Sequence, residues 1–176
     1  MSHFIKNTCI GCQACARICP TEAIFGDKQE LHQIVPERCI DCGACAAVCP
    51  VECIEDQHKA IKPKRKIAAL PKAKVDRDFC TGCEFCVDAC PYDCISMEGG
   101  ERVPGVLPVA LVEEKKCVGC GLCTALCDKD AILVYDDKGE RIDQAFLKLW
   151  SQNEYSQGTA RGKVVKMRTI PAAAAS

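Results

Sequence analysis

The stretch CIGCQACARICP occupies residues 9–20, and three near copies of it follow later in the chain. Each copy holds cysteines at positions i, i+3, i+6 and i+10, so four copies account for all but two of the 18 cysteines. An internal repeat outweighs other local signals, and the chain is therefore interpreted as four related units. The copies are CIGCQACARICPTEAI from Cys9, CIDCGACAAVCPVECI from Cys39, CTGCEFCVDACPYDCI from Cys80 and CVGCGLCTALCDKDAI from Cys117.

The composition indicates that apolar packing alone does not stabilise this protein. The chain has 176 residues, and only 5% of them are aromatic. A chain this short and this poor in large side chains has difficulty building an extensive core. Cysteine at this density is typical of a disulfide scaffold or of metal ligation.

The compartment distinguishes those two uses of cysteine. The N-terminal residues MSHFIKNTC reach the first cysteine without an apolar signal segment. No stretch approaches the roughly 18 apolar residues of a membrane-spanning helix. We therefore expect a cytoplasmic protein without a membrane span, whose thiols stay reduced and ligate metal.

The spacing of the cysteines favours one kind of metal group. Structural zinc sites also use four thiolates, but they usually pair two C-x2-C units, whereas each copy here has a triplet and a separate fourth cysteine. Very close spacing also argues against disulfides. Three cysteines two residues apart let a short loop wrap one side of an iron–sulfur cube, with backbone N–H groups directed toward its sulfides.

The residues around the cysteines predict the local structure. The third and fourth cysteines of each copy are four residues apart, which predicts a helical turn. Proline at positions 20, 50 and 91 would end that turn. The segments at 23–25, 53–55, 94–96 and 131–135 are predicted as short strands. Glycine would allow positive φ and close backbone approach within or beside the gaps, at Gly11, Gly43, Gly82, Gly119 and Gly121.

The four runs resemble the bacterial two-cluster ferredoxin motif C-x2-C-x2-C-x3-C-P, over about residues 4–56 and 75–136. The resemblance implies four [4Fe-4S] clusters, with the fourth cysteine of each copy binding the cluster of its sister copy. The implied ligand sets are Cys9, Cys12, Cys15 and Cys49; Cys39, Cys42, Cys45 and Cys19; Cys80, Cys83, Cys86 and Cys127; and Cys117, Cys120, Cys123 and Cys90.

Two features depart from a uniform repeat. Asp128 stands where the other copies have proline, so the last helical turn is expected to continue or to end differently. Cys53 and Cys94 occupy the position held by Ala23 and Ala131 in the sister copies. That equivalence favours small buried residues, and the alternative is a spare ligand or a redox thiol.

The spacing of the copies predicts the domain plan. We expect an α+β fold of two tandem two-cluster ferredoxin-like domains, with short strands and one-turn helices, plus a C-terminal helix and an extended tail. Extra residues within 97–114 are rich in glycine and proline and predict a loop or hairpin extension. The predicted parts are a first domain at 1–56, a basic linker at 57–78, a second domain at 79–136, and an amphipathic helix with an extended basic arm at 137–176.

The sequence predicts electron sites but no substrate site. It has no G-x-G-x-x-G, no phosphate-binding loop and no arrangement of acid, base and nucleophile, so no catalytic residues are predicted. The scattered His3, His32 and His58 are interpreted as surface residues. The basic linker lacks aromatic residues for stacking, which argues against nucleic-acid binding.

The function expected from this pattern is electron transfer. The size, tandem domains and tail resemble polyferredoxin subunits of molybdenum or tungsten enzymes, including tungsten aldehyde oxidoreductase complexes. That resemblance implies a non-catalytic subunit, in anaerobic metabolism, that relays single low-potential electrons between a catalytic subunit and a flavin subunit or another carrier. The alternatives are a freely diffusing polyferredoxin and an iron–sulfur redox sensor, although a sensor usually needs one cluster. Tandem domains would also permit stacking of copies into longer chains.

Overall fold

The computed structural model describes residues 2–100 and 107–142 as a series of very short helices and strands. The helices are α1 (Ala14–Arg17), α2 (Ala44–Val48), α3 (Phe85–Asp88) and α4 (Leu122–Leu126). Within the described residues, no helix is long and apolar enough to cross a membrane. The strands are β1 (Phe4–Ile5), β2 (Ile24–Phe25), β3 (Gln33–Ile34), β4 (Ile54–Glu55), β5 (Lys72–Val75), β6 (Ile95–Glu98), β7 (Val109–Val112) and β8 (Ile132–Tyr135).

Each half of the chain contains two antiparallel strand pairs. In the first half β1 pairs with β4 and β2 with β3, and each pair is only two residues long. In the second half β5 pairs with β8 and β6 with β7, each over four residues. The first and last strands of each half thus pair with each other.

Each helix carries the third cysteine of its copy and ends before the fourth. The residue that precedes each helix has a left-handed backbone, with φ of 64° at Gln13 and 75° at Gly43. This conformation turns the cysteine loop directly into the helix. Helix α4 ends at Leu126 and Cys127 is extended, so the helix stops there although Asp128 replaces the proline.

The segment predicted as a linker contains part of the second domain's sheet. Residues 72–75 form β5, in register with β8 from Lys72 opposite Tyr135 to Val75 opposite Ile132. Before β5, a 3-10 turn spans Ile67–Ala69 and the side chain of Leu70 is buried. The crossing between the domains is therefore shorter than 57–78, because its end is held by strand pairing.

Three buried clusters make up the apolar interior of the described residues. One lies in the first half around Ile54, one lies in the second half around Ile132 and Val134, and the third joins the two halves. Cysteines contribute to all three, which agrees with a chain that has few large side chains. The predicted C-terminal helix and the middle of the predicted extension lie outside the described residues.

Candidate metal centres

The first centre brings together four cysteines from two copies of the repeat. Cys80, Cys83 and Cys86 line a cavity together with Cys127, the fourth cysteine of the sister copy. Val75, Met97, Ala110 and Ile132 form apolar parts of its wall. The cavity therefore has four sulfur donors and an apolar lining, with the crossed combination that the resemblance implied.

Two further cavities repeat this arrangement. The members of each sulfur set again come from a triplet and from the fourth cysteine of the sister copy. One cavity is lined by Cys39, Cys42, Cys45 and Cys19, and the other by Cys117, Cys120, Cys123 and Cys90. We refer to these three cavities and to the remaining set of four cysteines as cages, each named by its triplet.

The remaining cage consists of Cys9, Cys12 and Cys15 with Cys49. Mutual repulsion with Cys9 and Cys12 contributes to a raised pKa of Cys15, after burial as the first cause. Cys9, Cys15 and Cys49 also share one buried cluster. These contacts place the cysteines of the fourth set near one another, as in the other three cages.

Backbone N–H groups donate hydrogen bonds to the cage sulfurs. The N–H of Ala23 lies 3.2 Å from Sγ of Cys19, and the N–H of Ala131 lies 3.3 Å from Sγ of Cys127. In the second copy the N–H of Cys53 lies 3.5 Å from Sγ of Cys49. In these three copies, the residue four positions after the fourth cysteine thus donates its backbone N–H to the sulfur of that cysteine. Such bonds stabilise a negatively charged sulfur.

The two extra cysteines are buried against cage sulfurs. Sγ of Cys53 lies 3.5 Å from Sγ of Cys49, and Sγ of Cys94 lies 3.3 Å from Sγ of Cys90. Cys53 is 2% exposed and Cys94 is 4% exposed. They are small buried residues, as their equivalence to alanine suggests, but each also presents a thiol to a cage.

Burial dominates the ionisation of most cage thiols. It raises the pKa of Cys86 to about 11 and of Cys42 and Cys123 to about 12, and neighbouring cysteines add to the increase. Cys90 and Cys117 differ, because the neighbouring thiol of Cys94 is the main cause that lowers the pKa of each to about 6. Four deprotonated thiols can therefore coexist in one cage only if a positively charged group lies among them.

The arrangement suits an iron–sulfur cluster better than a single ion. Among the described residues, no three or more His, Cys, Asp or Glu side chains converge as closely as a single metal ion requires. The cysteines instead surround cavities, and their donors are all sulfur, which is the ligand set of 4Fe-4S clusters. The iron atoms of such a cluster would supply the positive charge that the thiolates need.

A contact between the buried His3 and the half-buried Asp41 lies in the wall of the cage of Cys39, Cys42 and Cys45. Nδ1 of His3 lies 2.5 Å from Oδ1 of Asp41, and both residues line that cavity. Burial lowers the pKa of His3, while the neighbouring Asp41 opposes the change. Asp41 stands where the other copies have glycine, and it retains the left-handed backbone with φ of 52°.

The interpretation of two histidines as surface residues is wrong. His3 is 3% exposed and His32 is 1% exposed, whereas His58 is on the surface. The His32 ring packs against Gly26 and its Nδ1 lies 3.1 Å from the carbonyl oxygen of Glu30. Single histidines outside a periodic pattern give no burial signal. The substitution of Asp41 for a repeat glycine is the feature that could have indicated a partner for His3.

Two protein families match separate parts of the chain. Residues 3–56 match a family described as a 4Fe-4S dicluster domain, and residues 79–131 match a second family of the same description. The chain contains two 4Fe-4S dicluster domains in tandem. The expectation of a ferredoxin-type iron–sulfur protein is confirmed, and the two matches support a role in electron transfer.

Other similarities cover less of the chain or are structurally distant. A subunit of the ion-translocating oxidoreductase complex of Haemophilus influenzae, from strains PittEE and 86-028NP, is 45% identical over 32 residues. That stretch is 18% of this chain and 17% of those relatives, so the chain matches less than a fifth of their length. A chain of the formate dehydrogenase, heterodisulfide reductase and formylmethanofuran dehydrogenase complex from Methanospirillum hungatei is 22% identical, with a TM-score of 0.40. The alignment covers 84% of this chain and 56% of that one.

Proposed function

We propose that this chain binds four [4Fe-4S] clusters and serves as a non-catalytic electron-transfer subunit. In this proposal it relays single low-potential electrons between a catalytic oxidoreductase subunit and a second redox subunit or carrier. The observation that carries the proposal is the presence of crossed cysteine sets, three of which line a cavity with all four members.

The proposed ligands are the same sixteen cysteines that the repeat supplies. Each cage takes three cysteines from its own loop and the fourth from the end of the sister helix. One element therefore holds ligands of both cages in a domain, and it keeps their separation constant. The helices that carry the third cysteines of the two copies pack against each other, α1 with α2 and α3 with α4.

Groups of the chain itself would bind a cluster in each cage and set its reduction potential. A 4Fe-4S cluster, when bound, gains and loses one electron at a time. Thiolate ligands bind it, N–H groups from Ala23, Cys53 and Ala131 donate to ligand sulfurs, and apolar side chains limit the access of water. Hydrogen bonds and solvent access together set a reduction potential.

The role as a subunit is supported by the similarity to a subunit of an oxidoreductase complex. The Haemophilus influenzae relatives are named as a subunit of an oxidoreductase complex, and the matching stretch includes only a small part of them. The resemblance in size, tandem domains and tail to polyferredoxin subunits implies a tungsten or molybdenum catalytic partner and a flavin subunit. These partners, and the stacking of copies, remain part of the proposal.

Anaerobic purification of the tagged chain from its native host tests the proposal. Iron, acid-labile sulfide and co-eluting proteins are measured on the same fractions. About 16 irons with a stoichiometric redox partner is the expected result. About 16 irons on a monomer would favour the freely diffusing carrier instead. About eight irons would contradict the four-cluster assignment, because two cages would then be empty.

A further inference from the structure

The two dicluster domains share a buried interface that contains members of two cages. Residues from the first domain (Ile40, Ala44 and Ala47) pack with residues from the second (Val118, Cys120 and Leu122). All six are buried, as is Leu70 from the crossing segment. Cys42, Ile18 and Tyr92 pack against this cluster. The second cysteines of copies two and four thus lie in the interface.

Tyr92 connects the two cages across the interface. Its side chain lines the cavity of Cys117, Cys120 and Cys123, two residues after Cys90. Its hydroxyl donates a 2.7 Å hydrogen bond to the backbone carbonyl of Ile18 in the other domain. Ile18 directly precedes Cys19, a member of the cage of Cys39, Cys42 and Cys45. One side chain therefore lines one cage and hydrogen-bonds the residue that precedes a ligand of the other.

The packing around Tyr92 brings ligands of both cages together. Cys42 of one cage and Tyr92 pack against the buried cluster that contains Cys120 of the other cage. Tyr92 also lines the same cavity as Cys90 and Cys120. These two cages are therefore immediate neighbours.

The corresponding cysteines of the other two cages lie at the surface. Cys12 and Cys83, the second cysteines of copies one and three, are exposed, whereas Cys120 is buried and Cys42 is half-buried. Within each domain the helices that carry the third cysteines pack together, α1 with α2 and α3 with α4. The contacts give a linear order of cages, named by their first cysteines: Cys9, Cys39, Cys117, Cys80. This order differs from the order of the copies along the chain.

We propose that the domain interface is the electron junction between the two halves and that Tyr92 is its positioning residue. This inference rests on the proposed four-cluster function. Tyr92 holds the Cys19 backbone of one domain at a constant distance from the Cys90 end of the other. Passage between the halves moves one electron, which oxidises the donor site and reduces the acceptor site, and no bond or proton is exchanged.

The Tyr92→Phe variant of the full-length chain tests the positioning role. It retains the ring that lines the cage and loses only the hydroxyl, so about 16 irons are expected. After reduction with dithionite, low-temperature electron paramagnetic resonance measures the magnetic interaction between neighbouring clusters. We expect that interaction between the two central cages to change at least twofold. Tyr135→Phe, at the end of β8 and outside the interface, is the matched control and leaves the spectrum unchanged.

A second comparison tests the order of the cages without altering the interface tyrosine. Cys12→Ser perturbs an outer cage and is expected to leave the signals of the second domain unchanged. Cys42→Ser perturbs a central cage and is expected to change signals in both domains. If Cys12→Ser alters the second domain while Cys42→Ser does not, the order is wrong.

The failure of this inference is distinguishable from the failure of the proposed function. A wild-type chain with about 16 irons, whose Tyr92→Phe variant has an unchanged spectrum, overturns the role of Tyr92 and leaves the four-cluster function intact. A wild-type chain with about eight irons overturns the function itself.

Discussion

The Sγ atom of Cys94 lies 3.3 Å from the Sγ atom of Cys90, a proposed cluster ligand of the second domain. When Cys90 binds iron as a thiolate, it has no proton, so the thiol of Cys94 is the donor in this contact. Cys94 also lines the cavity that holds Cys117, a second member of the same cage. A residue interpreted from the sequence as small and buried therefore also donates to a proposed ligand.

Replacement of Cys94 by alanine should lower a reduction potential and leave the iron content unchanged. A hydrogen bond to a ligand sulfur favours the reduced, more negative cluster, so its removal favours the oxidised form. A net hydrogen bond of about 0.5–1.5 kcal/mol corresponds to about 20–60 mV for one electron. A redox titration monitored by electron paramagnetic resonance measures the change.

Cys94→Ser is the matched control, because its hydroxyl keeps a donor at similar volume. The reduction potential of Cys94→Ser should therefore lie closer to that of the wild type than the potential of Cys94→Ala does. Loss of about four irons in Cys94→Ala would instead identify Cys94 as a ligand, and equal potentials in all three proteins would exclude the hydrogen-bond role. Cys53→Ala should behave in the same way in the first domain, since Cys53 lies 3.5 Å from Cys49.

Much of the local structure could be predicted from the repeat. The turn between the third and fourth cysteines is present in α1 to α4, and the four predicted strands correspond to β2, β4, β6 and β8. These features depend on residues that are close together in sequence. The spacing of the cysteines and the strand-forming residues therefore predict them directly. The crossed sets of cysteines were available only through the resemblance to two-cluster ferredoxins.

The contacts between distant segments could not be predicted in this way. The Tyr92 hydroxyl reaches Ile18 across 74 positions of sequence, and nothing near Tyr92 in the chain indicates that partner. The same holds for β5, which lies in a lysine-rich segment and becomes a strand because β8 pairs with it. His3 likewise becomes buried because Asp41 and its cage lie beside it.

Asp41→Gly should destabilise the first domain although it restores the glycine of the other copies. The substitution removes a left-handed backbone strain of about 1 kcal/mol. It also removes the carboxylate beside the buried His3, and a buried polar group left without a partner costs about 1–3 kcal/mol. The loss exceeds the gain, so we expect faster cluster loss in anaerobic urea. Asp41→Asn, which keeps an acceptor oxygen, should lie between the wild type and Asp41→Gly, and slower loss in Asp41→Gly would contradict the importance of the pair.

Oxidative damage should begin at the two outer cages. Cys12 and Cys83 are exposed, whereas their counterparts Cys42 and Cys120 lie in or against the domain interface. An oxidant in water therefore reaches the outer cages first. Brief exposure to air, followed by alkylation and peptide mass spectrometry, should label cysteines of the Cys9 and Cys80 cages before those of the Cys39 and Cys117 cages. Simultaneous labelling of all four would show that burial does not protect the centre.

Removal of iron should loosen the first domain more than the second. The pairs β1–β4 and β2–β3 are two residues long, whereas β5–β8 and β6–β7 are four residues long. A longer strand pair has additional backbone hydrogen bonds, and each contributes about 1 kcal/mol to stability. Two additional hydrogen bonds should therefore slow amide exchange about tenfold or more. Hydrogen exchange after anaerobic removal of iron by a chelator measures this difference. The iron-loaded chain is the control, in which we expect both domains to be protected because the ligands cross-link their loops. Equal protection of β1–β4 and β5–β8 in the iron-free chain would mean that the ladders do not determine its residual structure.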